Sequence, residues 1–517
     1  RRVAAVQECS DFAIALGINI PTGKDSLSMK QKYPDGDVLA PGTVIISAAG
    51  QCKDVNQIIT PVARWNGGDF YYIDFAQDSF DLGGSSFAQS QDRIGTETPC
   101  VQDATYFKTA FNAIQDHISE GKITSGHDIG SGGLITTLLE LCFPSTSIGM
   151  QLDFSGLEET DLVKILFSEK VGVVLQSTED LTASFTKAGI RALKIGSVSD
   201  QNELTVGSFR FSIAEMRKTW MATSTRLEAQ QTRADLATIR SVNIVKQPLK
   251  FQFPDHFDGK KPVPKSNRIK AAVIREKGSN SEREMAYMMD LSGFEVRDVH
   301  MTDLIEGRET LEDIRLLVAV GGFSNSDVLG SAKGWAGAFK YNPKAKKALE
   351  DFFQRPDTLS LGVCNGCQLF VELGLLTPPD RPQPRMLHND SGKFECIFTA
   401  VTIETSSSIM LQGLEGSTLG IWAAHGEGKF SFPQSENHYQ IPAKYLYHDY
   451  PSNPNGSDYN AAMLTSSDGR HLVMMPHLER STFPWNWAHY PAQRKDEVSP
   501  WILAFENAYK WLKYSVV

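Results

Sequence analysis

Cys364 and Cys367 stand three positions apart in LSLGVCNGCQLFVELG, residues 359–374. Two thiols at that spacing admit three chemistries: a redox pair, half of a metal site, or one nucleophile beside a bystander. A structural zinc site needs two further ligands. Cys396 and several histidines exist, but the chain has no second C-x-x-C and no tight Cys/His cluster. A redox pair sits at a helix start but has no need of a glycine two residues before its first cysteine. The local order Gly362-Val363-Cys364-Asn365-Gly366 favours the nucleophile. G-x-nucleophile-x-G between a strand and a helix presents the middle side chain outward. Small glycines let the turn close. The amides that open the helix lower a thiol pKa and face a developing oxyanion. Cys367, inside the first helical turn, reads as buried packing.

A thiolate that attacks a carbonyl needs a base and a group to orient that base. HLVMMPHLERSTF, residues 471–483, supplies both types. After the short strand HLVMM come His477, Leu478 and Glu479. In extended backbone, positions two apart share a face, so His477 and Glu479 would meet while Leu478 packs behind. His425, in the glycine-lined turn of WAAHGEGKF (422–430), competes for the same role. Spacing alone leaves that choice open.

Three other stretches have the residue types of phosphate sites. IPTGKDS (20–26) resembles a phosphate loop, but its spacing is not that of a Walker A motif, and Asp25 stands where Ser or Thr is required. Lys24 offers a point charge for phosphate; pairing with Asp25 is the plainer alternative. In HDIGSGG (127–133), Asp128 beside a glycine-rich turn suits Mg²⁺, with backbone donors such as that of Gly130 near phosphate. The plainer reading makes Asp128 or Ser131 a cap for the helix from Leu134. DLGGSSFAQS (81–90) is a glycine-rich turn that could approach phosphate, on weak grounds.

These residues need a frame. From residue 270 the pattern alternates strand and helix: KAAVIREKG, then SEREMAYMMDLSG, FEVRDVHM, RLLVAVGG, NPKAKKALEDFFQR, LSLGV and CQLFVELG. Nearly continuous apolar strands between helices predict an open, mostly parallel sheet covered on both faces, with ligands at the carboxyl ends of the strands. LVAVGG and LSLGVC both end there. FQFPDHFDGKKPVPKSNRIK (251–270), with three prolines and many charges, reads as a linker. Upstream, residues 4–16 and 101–121 read as helices. GTVIISAAG (42–50), DFYYIDF (69–75), KVGVVLQ (170–176) and IRALKIGSVS (190–199) read as strands. The C-terminal stretch 481–512 reads as a loop and an amphipathic helix whose aromatics fill the core.

The 517 residues carry 51 Lys and Arg against 61 Asp and Glu, a formal charge of −10. That length suggests about three domains. The charge argues against broad binding to nucleic acid or an anionic membrane. Seven scattered cysteines argue against a disulfide framework and for a reducing compartment. No apolar run reaches the ~18 residues of a membrane span. The start reads as a helix already under way, the later part of something longer.

Seven motifs now bear jointly on identity. They are IPTGKDSLSMK, HDIGSGG, GGFSNSDVLGSAKGWA, LGVCNGCQ, AAHGEGKF, PSNPNGSDYN and MMPHLERS, which span nearly the whole chain. In this order they resemble the C-terminal part of the large, single-chain phosphoribosylformylglycinamidine synthases, or FGAR amidotransferases. The cysteine elbow alone would resemble any class I glutamine amidotransferase. The resemblance implies an α/β chain: a flavodoxin-like class I glutaminase domain with an open, mostly parallel sheet at 270–517, preceded by aminoimidazole-ribonucleotide-synthase-like α+β domains. Residues 1–105 would finish the second ATP-binding-type domain, residues 106–250 would be its partner, and 251–269 the linker. The implied triad is Cys364, His477 and Glu479, with an oxyanion hole from the backbone amides of Phe323 and Asn365, and His425 near the site or an interface but not the base. The implied reaction converts formylglycinamide ribonucleotide to formylglycinamidine ribonucleotide with ATP, Mg²⁺ and glutamine. It would be cytoplasmic and need the N-terminal half of the same polypeptide, which this chain lacks. Asp128 would match a magnesium ligand of an auxiliary nucleotide site, with Lys24 and Gly130 toward nucleotide and phosphate.

The sequence departs from the family pattern at three places. Gly130 and Ser131 stand where a serine and an aspartate are usual, which removes a hydroxyl and a carboxylate and leaves an empty or altered auxiliary site as the expectation. Leu478 replaces a common proline. Asn325-Ser326 replace Tyr-Gly, so Ser326 would have to adopt a turn that glycine eases. Other class alternatives are a peptidase-like hydrolase using the same triad on another carbonyl, and a scaffold whose elbow has lost its function.

Overall fold

Leu359–Val363 is buried at every position, as is Leu316–Ala319. A strand with no solvent face must lie inside a sheet covered on both sides. In the computed structural model these two strands are central neighbours in a six-stranded sheet. Its order is Phe294–His300, Ile269–Arg275, Leu316–Ala319, Leu359–Val363, His471–Met474, Met463–Thr465. The first five run parallel, and Met463–Thr465 pairs antiparallel at the edge. The structure describes residues 2–24, 29–40, 43–246, 250–491 and 493–514.

The helices between these strands begin where local chemistry expects. Pro343 opens the helix Pro343–Gln354, and the Asn342 side chain accepts from the amides of Lys344 and Ala345 at 3.1 and 3.0 Å. The apolar face of that helix buries Ala345, Ala348, Leu349 and Phe352. The final helix, Ile502–Tyr514, buries Phe505, Ala508, Tyr509 and Leu512. Phe505 and Tyr509 fill the core as the pattern indicated, whereas Tyr514 is 73% exposed.

The chain divides into two units, Arg1–Ala222 and Thr223–Val517. Two features of these units bear on the expected division. The strand Asp69–Asp74 sits in the middle of a seven-stranded sheet whose other members come from residues 125–212, paired on either side with Gly172–Ser177 and Ala192–Ser199. A boundary near 105 would cut that sheet. The five residues from Phe70 to Asp74 are buried, and such a strand needs a neighbour on each side. Downstream, residues 251–258 do not behave as a free linker. Gln252 and Thr418 exchange backbone hydrogen bonds, and Phe257 belongs to the core of the second unit. Phe251 and Phe253 pack edge-on against Trp487. Three phenylalanines outweigh the prolines that suggested a linker. Residues 223–246 also belong to this unit: Glu228 accepts from Arg240 and Lys393, and Asn243 donates to the Tyr450 carbonyl.

A third difference concerns GTVIISAAG. Residues 43–50 form no strand, and Val44, Ile45 and Ile46 are 60%, 85% and 68% exposed. β-Propensity acts through packing and pairing, and among the described residues that segment has no strand beside it. The helix Arg2–Leu16 and the strand Ala192–Ser199 form where the pattern placed them.

Candidate functional site

The chain leaves Leu359–Val363 directly into Cys364, whose φ of 52° and ψ of −107° turn it sharply into the helix Asn365–Glu372. Sterics around this bend require the flanking glycines. A Cβ on Gly362 would stand 2.6 Å from the Gly366 carbonyl oxygen, and one on Gly366 would stand 2.0 Å from that of Ala319. Cys364 is only 6% exposed, yet it lines a cavity of about 230 Å³ together with His425 and His477. Its thiol approaches the Ala424 carbonyl at 3.6 Å. Cys367 is fully buried, and burial followed by the nearby Cys364 pushes its thiol pKa well up. It is packing, with no access to a reactant.

The neighbouring parallel strand, His471–Met474, delivers His477 to the same end of the sheet. Its Nδ1 lies 2.6 Å from Glu479 Oε1, and both side chains are buried. Burial alone would lower the His477 pKa. Attraction to Glu479 and then to Cys364 overrides this and pushes it up to about 10. The reciprocal pull of His477 overcomes desolvation and holds Glu479 below the usual carboxylate range. Nε2 of His477 is buried and makes no hydrogen bond among the described residues. A Cβ on Gly321, at the end of the strand on the other side of the elbow, would lie 2.8 Å from the imidazole Cε1 and 3.3 Å from Cys364 Cβ. That glycine clears the space between the two groups.

The pair forms by a route different from the extended one expected. Leu478 is helical, φ −70° and ψ −32°, and Glu479–Ser481 is a 3₁₀ turn. The carboxylate curls back onto its own histidine. Leu478 is buried, at the φ that a proline ring would impose. The His477 amide is fixed by the Trp422 carbonyl at 2.7 Å.

Of the two expected oxyanion donors, the Asn365 amide lies in the first turn of its helix, where no intrahelical acceptor exists. The Phe323 amide is committed elsewhere, to the Gly278 carbonyl at 2.8 Å. Segments 277–280 and 321–325 zip together: Asn280 donates to Gly321 and Asn325 to Lys277. That pairing takes the amide which the elbow would otherwise share. Ser326 adopts the left-handed turn anticipated for it, φ 56°, between Asn325 at 52° and Asp327 at 50°.

His425 is buried, and desolvation, then the nearby His477, push its pKa down to about 3. Among the described residues it forms no ion pair with a carboxylate, so the orienting group belongs to His477. Asn389 holds the turn around His425: it donates to the His425 carbonyl and accepts from the Gly428 amide. Asn455, from the NPNGS stretch, touches the imidazole at 3.5 Å. Gln368 donates to the Glu427 carbonyl at 2.7 Å and accepts from Asn365 at 3.0 Å. These side chains tie the elbow to the turn opposite. The sequence reading passed over Asn280, Asp327, Gln368, Phe394, Glu427 and Arg480, all of which line the cavity. They come from separate segments, Gln368 from the elbow helix and the rest from loops and turns, and only the position of Arg480 directly after Glu479 could have signalled its place.

In the first unit, Asp128 ends the strand Ser125–Asp128 with its side chain 84% exposed, 3.3 Å from His127 Nδ1. Among the described residues no group of His, Cys, Asp or Glu is placed to hold a metal ion. The amides that could hold an anion are occupied: Glu169 accepts from Ser86 and Gly132, both at 2.8 Å. Desolvation acts to raise the Glu169 pKa, but these amides hold it below the ordinary carboxylate value. Neither Asp128 nor Ser131 caps the helix Gly133–Cys142. Gly130 is exposed, and so is Lys24; Asp25 lies outside the described residues. Lys24, Gly130 and Asp128 are all exposed, and the amides of Ser86 and Gly132 are taken by Glu169.

Comparison with known proteins adds the family context. Residues 268–512 match the family model described as a CobB/CobQ-like glutamine amidotransferase domain. Residues 79–208 match the C-terminal domain of AIR synthase related proteins, and 2–51 match an FGAR-AT PurM_N-like domain. The chain is 41% identical to a probable phosphoribosylformylglycinamidine synthase, chloroplastic/mitochondrial, of Arabidopsis thaliana, over 98% of this chain and 38% of that protein. It is 36% identical to phosphoribosylformylglycinamidine synthase of Homo sapiens, over 96% of this chain and 40% of that protein. It therefore spans about two fifths of the length of these relatives. The solved structure of PurLQS from Thermotoga maritima aligns at 24% identity and a TM-score of 0.37, over 48% of this chain and 100% of that one. Among the described residues no helix is long and apolar enough to cross a membrane.

Proposed function

That the chain belongs to the phosphoribosylformylglycinamidine synthase family, as a C-terminal-type region, is the premise from which we propose that its second unit hydrolyses glutamine to supply ammonia. The observation that carries this reading is the buried His477–Glu479 pair at 2.6 Å, in one cavity with the Cys364 elbow. Cys364 gives its thiol proton to His477 as its sulfur attacks the side-chain amide carbon of glutamine, and the carbonyl electrons move onto oxygen, facing the Asn365 amide. When the tetrahedral species collapses, the C–N bond breaks and the nitrogen takes a proton from His477, leaving as ammonia. Water then attacks the thioester, gives its proton to His477, and releases glutamate with Cys364 restored. Glu479 keeps the imidazole in one orientation and stabilises its charged form.

The wider reading is that this ammonia serves the ATP-driven conversion of formylglycinamide ribonucleotide to formylglycinamidine ribonucleotide, together with the rest of the synthase. The names of the relatives support it. Asp128, as a hard carboxylate, would be the residue to hold Mg²⁺, with Lys24 and Gly130 toward nucleotide and phosphate. A cytoplasmic setting is supported by seven cysteines that are all free.

A glutamine-mimicking electrophile tests the first reading. It should modify Cys364, and glutamine should protect against it. Modification of Cys367 in its place overturns the nucleophile assignment. In a full-length synthase, Cys364→Ala should abolish synthesis from glutamine and spare synthesis from ammonia. Loss of both would make the residue structural.

A further inference from the structure

Residues 223–246 match none of the family models that cover 2–51, 79–208 and 268–512, yet they fold as part of the second unit. Their side chains reach two loops near the Cys364 cavity. In the last turn of the helix that ends at Gln231, Glu228 accepts from Lys393 and, at 3.1 Å to each oxygen, from Arg240 of the helix Ala234–Asn243. Thr232, directly after the first helix, donates its hydroxyl to the Ser391 carbonyl at 2.6 Å. Buried Asn243 donates to the Tyr450 carbonyl at 2.8 Å, and the Tyr450 hydroxyl donates to Glu395 at 3.1 Å.

The loop met by Glu228 and Thr232 is the one whose Asn389 fixes the His425 turn. The Asn389 side chain also donates to the Lys393 carbonyl at 3.1 Å, so Lys393 is held at its backbone and at its ammonium. Next to it, Phe394 lines the cavity with Cys364 and His477 and packs on Phe323, ring centroids 5.9 Å apart. Glu395 then opens the strand Glu395–Ile403 directly opposite His425. Strand pairing therefore fixes the chain after Phe394. Before it, the fixed points are Asn389 and the bonds from residues 228 and 232. The side chains of Glu228 and Lys393 are 17% and 21% exposed. A pair in open water would contribute little, but charges this far from water are costly to leave unpaired. Desolvation acts to raise the Glu228 pKa, and Lys393 with Arg240 overrides it and holds the carboxyl below its ordinary range.

We propose that residues 228–243 brace the glutaminase site: Glu228 and Thr232, acting on Lys393 and Ser391, position the Phe394 wall of the Cys364 cavity. The glutaminase then begins ahead of the 268–512 that match its family model. This rests on the glutaminase reading and adds to it. Glu228, Thr232 and Lys393 are positioning residues that act through the wall.

Two alkylating reagents test it on the full chain, followed by mass at the Cys364 peptide. The chloroketone 2-amino-5-chloro-4-oxopentanoate mimics glutamine and has to be seated against the wall; iodoacetamide needs no seat. Each forms a bond from Cys364 sulfur to carbon and releases a halide ion and the thiol proton. In Lys393→Met the chloroketone reaction should slow about tenfold or more, the cost of a small misplacement, while the iodoacetamide reaction stays within about twofold of the parent. Lys393→Arg, which keeps the charge, should recover most of the chloroketone rate. If Lys393→Met fails to fold, Thr232→Val takes its place with the same expected split, and Thr232→Ser, which keeps the hydroxyl, is its recovery variant. An unchanged chloroketone rate, equal slowing of both reagents, or no recovery in the conservative variant overturns the brace and leaves the glutaminase reading standing. No chloroketone adduct at Cys364 in the parent overturns both.

Discussion

Against the downward pull of burial, Glu479 and then Cys364 push the His477 pKa up to about 10, and in the proposed reaction its proton goes to the leaving nitrogen. Glu479 is the largest upward influence on that histidine. In Glu479→Gln the His477 pKa should therefore drop below about 10, read from its ring proton shifts, and thioester formation should slow at least tenfold. Loss of the orienting carboxylate in a comparable triad costs far more, about 10⁴. An unchanged rate would remove Glu479 from the mechanism. His477 and Glu479 were legible as a pair in H-L-E, although the reason given for it, extended backbone, was not the one that operates. The choice between His425 and His477 was not legible from spacing, because it turns on which imidazole meets a carboxylate in three dimensions.

At the scale of elements, the site hangs on three adjacent parallel strands whose carboxyl ends deliver Gly321, Cys364 and His477. Both Cβ collisions at the elbow involve backbone oxygen, which cannot swing aside. Gly366→Ala should destabilise the chain by about 1–3 kcal/mol, seen as a lower denaturant midpoint, with loss of Cys364 labelling. The loop 323–332 holds the opposite kind of strain. Ser326 occupies a left-handed backbone at φ 56°, which costs a non-glycine residue about 1–2 kcal/mol. Ser326→Gly should raise stability by up to about 1 kcal/mol, less whatever entropy glycine adds to the unfolded chain. A lower midpoint would show that the serine contributes contacts which outweigh the strain. The loop was recognisable in GGFSNSD, and Ser326 was singled out for this turn. That the Phe323 amide is spent on Gly278 was not recognisable, because the partner segment lies over forty residues upstream and carries no pattern of its own.

For the whole molecule, the buried titratable groups set the pH range of stability. His425 and His471 are pushed down to about 3 and about 4, by burial first, then by His477 and Arg470 respectively. Both are neutral when folded and take up a proton when unfolded below about 6.5. The unfolded state then binds more protons, so stability falls as pH drops from about 6.5 toward 4. Glu479, depressed in the fold, adds a further loss below the ordinary Glu range. On the alkaline side, His477 is raised, and its contribution, complete below about 6.5, disappears as pH rises through about 10. Urea midpoints across pH 4–10.5 should trace this dome, and His471→Asn should flatten its acid limb. An acid limb that begins only below pH 4.5 would mean that the buried histidines do not govern it. Among the described residues the buried hydrophobic side chains form one large cluster within 251–512 and two smaller ones within 59–216. Membership of the seven-stranded sheet depends on pairing between residues about a hundred apart, such as Tyr71 with Leu175, which no local pattern reports.

What the sequence by itself determined is the local chemistry: a cysteine that must stand at a bend, glycines that let the bend close, a histidine with its carboxylate, and the parallel strands that carry them to one edge. These depend on sterics and periodicity over a few residues, which is the range that spacing reports. Only the tertiary structure decided which backbone amides remain free, which imidazole meets a carboxylate, that Glu169 takes the amides of Ser86 and Gly132, and which side chains from separate segments line the cavity beside Cys364. Each of those is settled by hydrogen bonding and desolvation between segments far apart in the chain, and no local pattern encodes them.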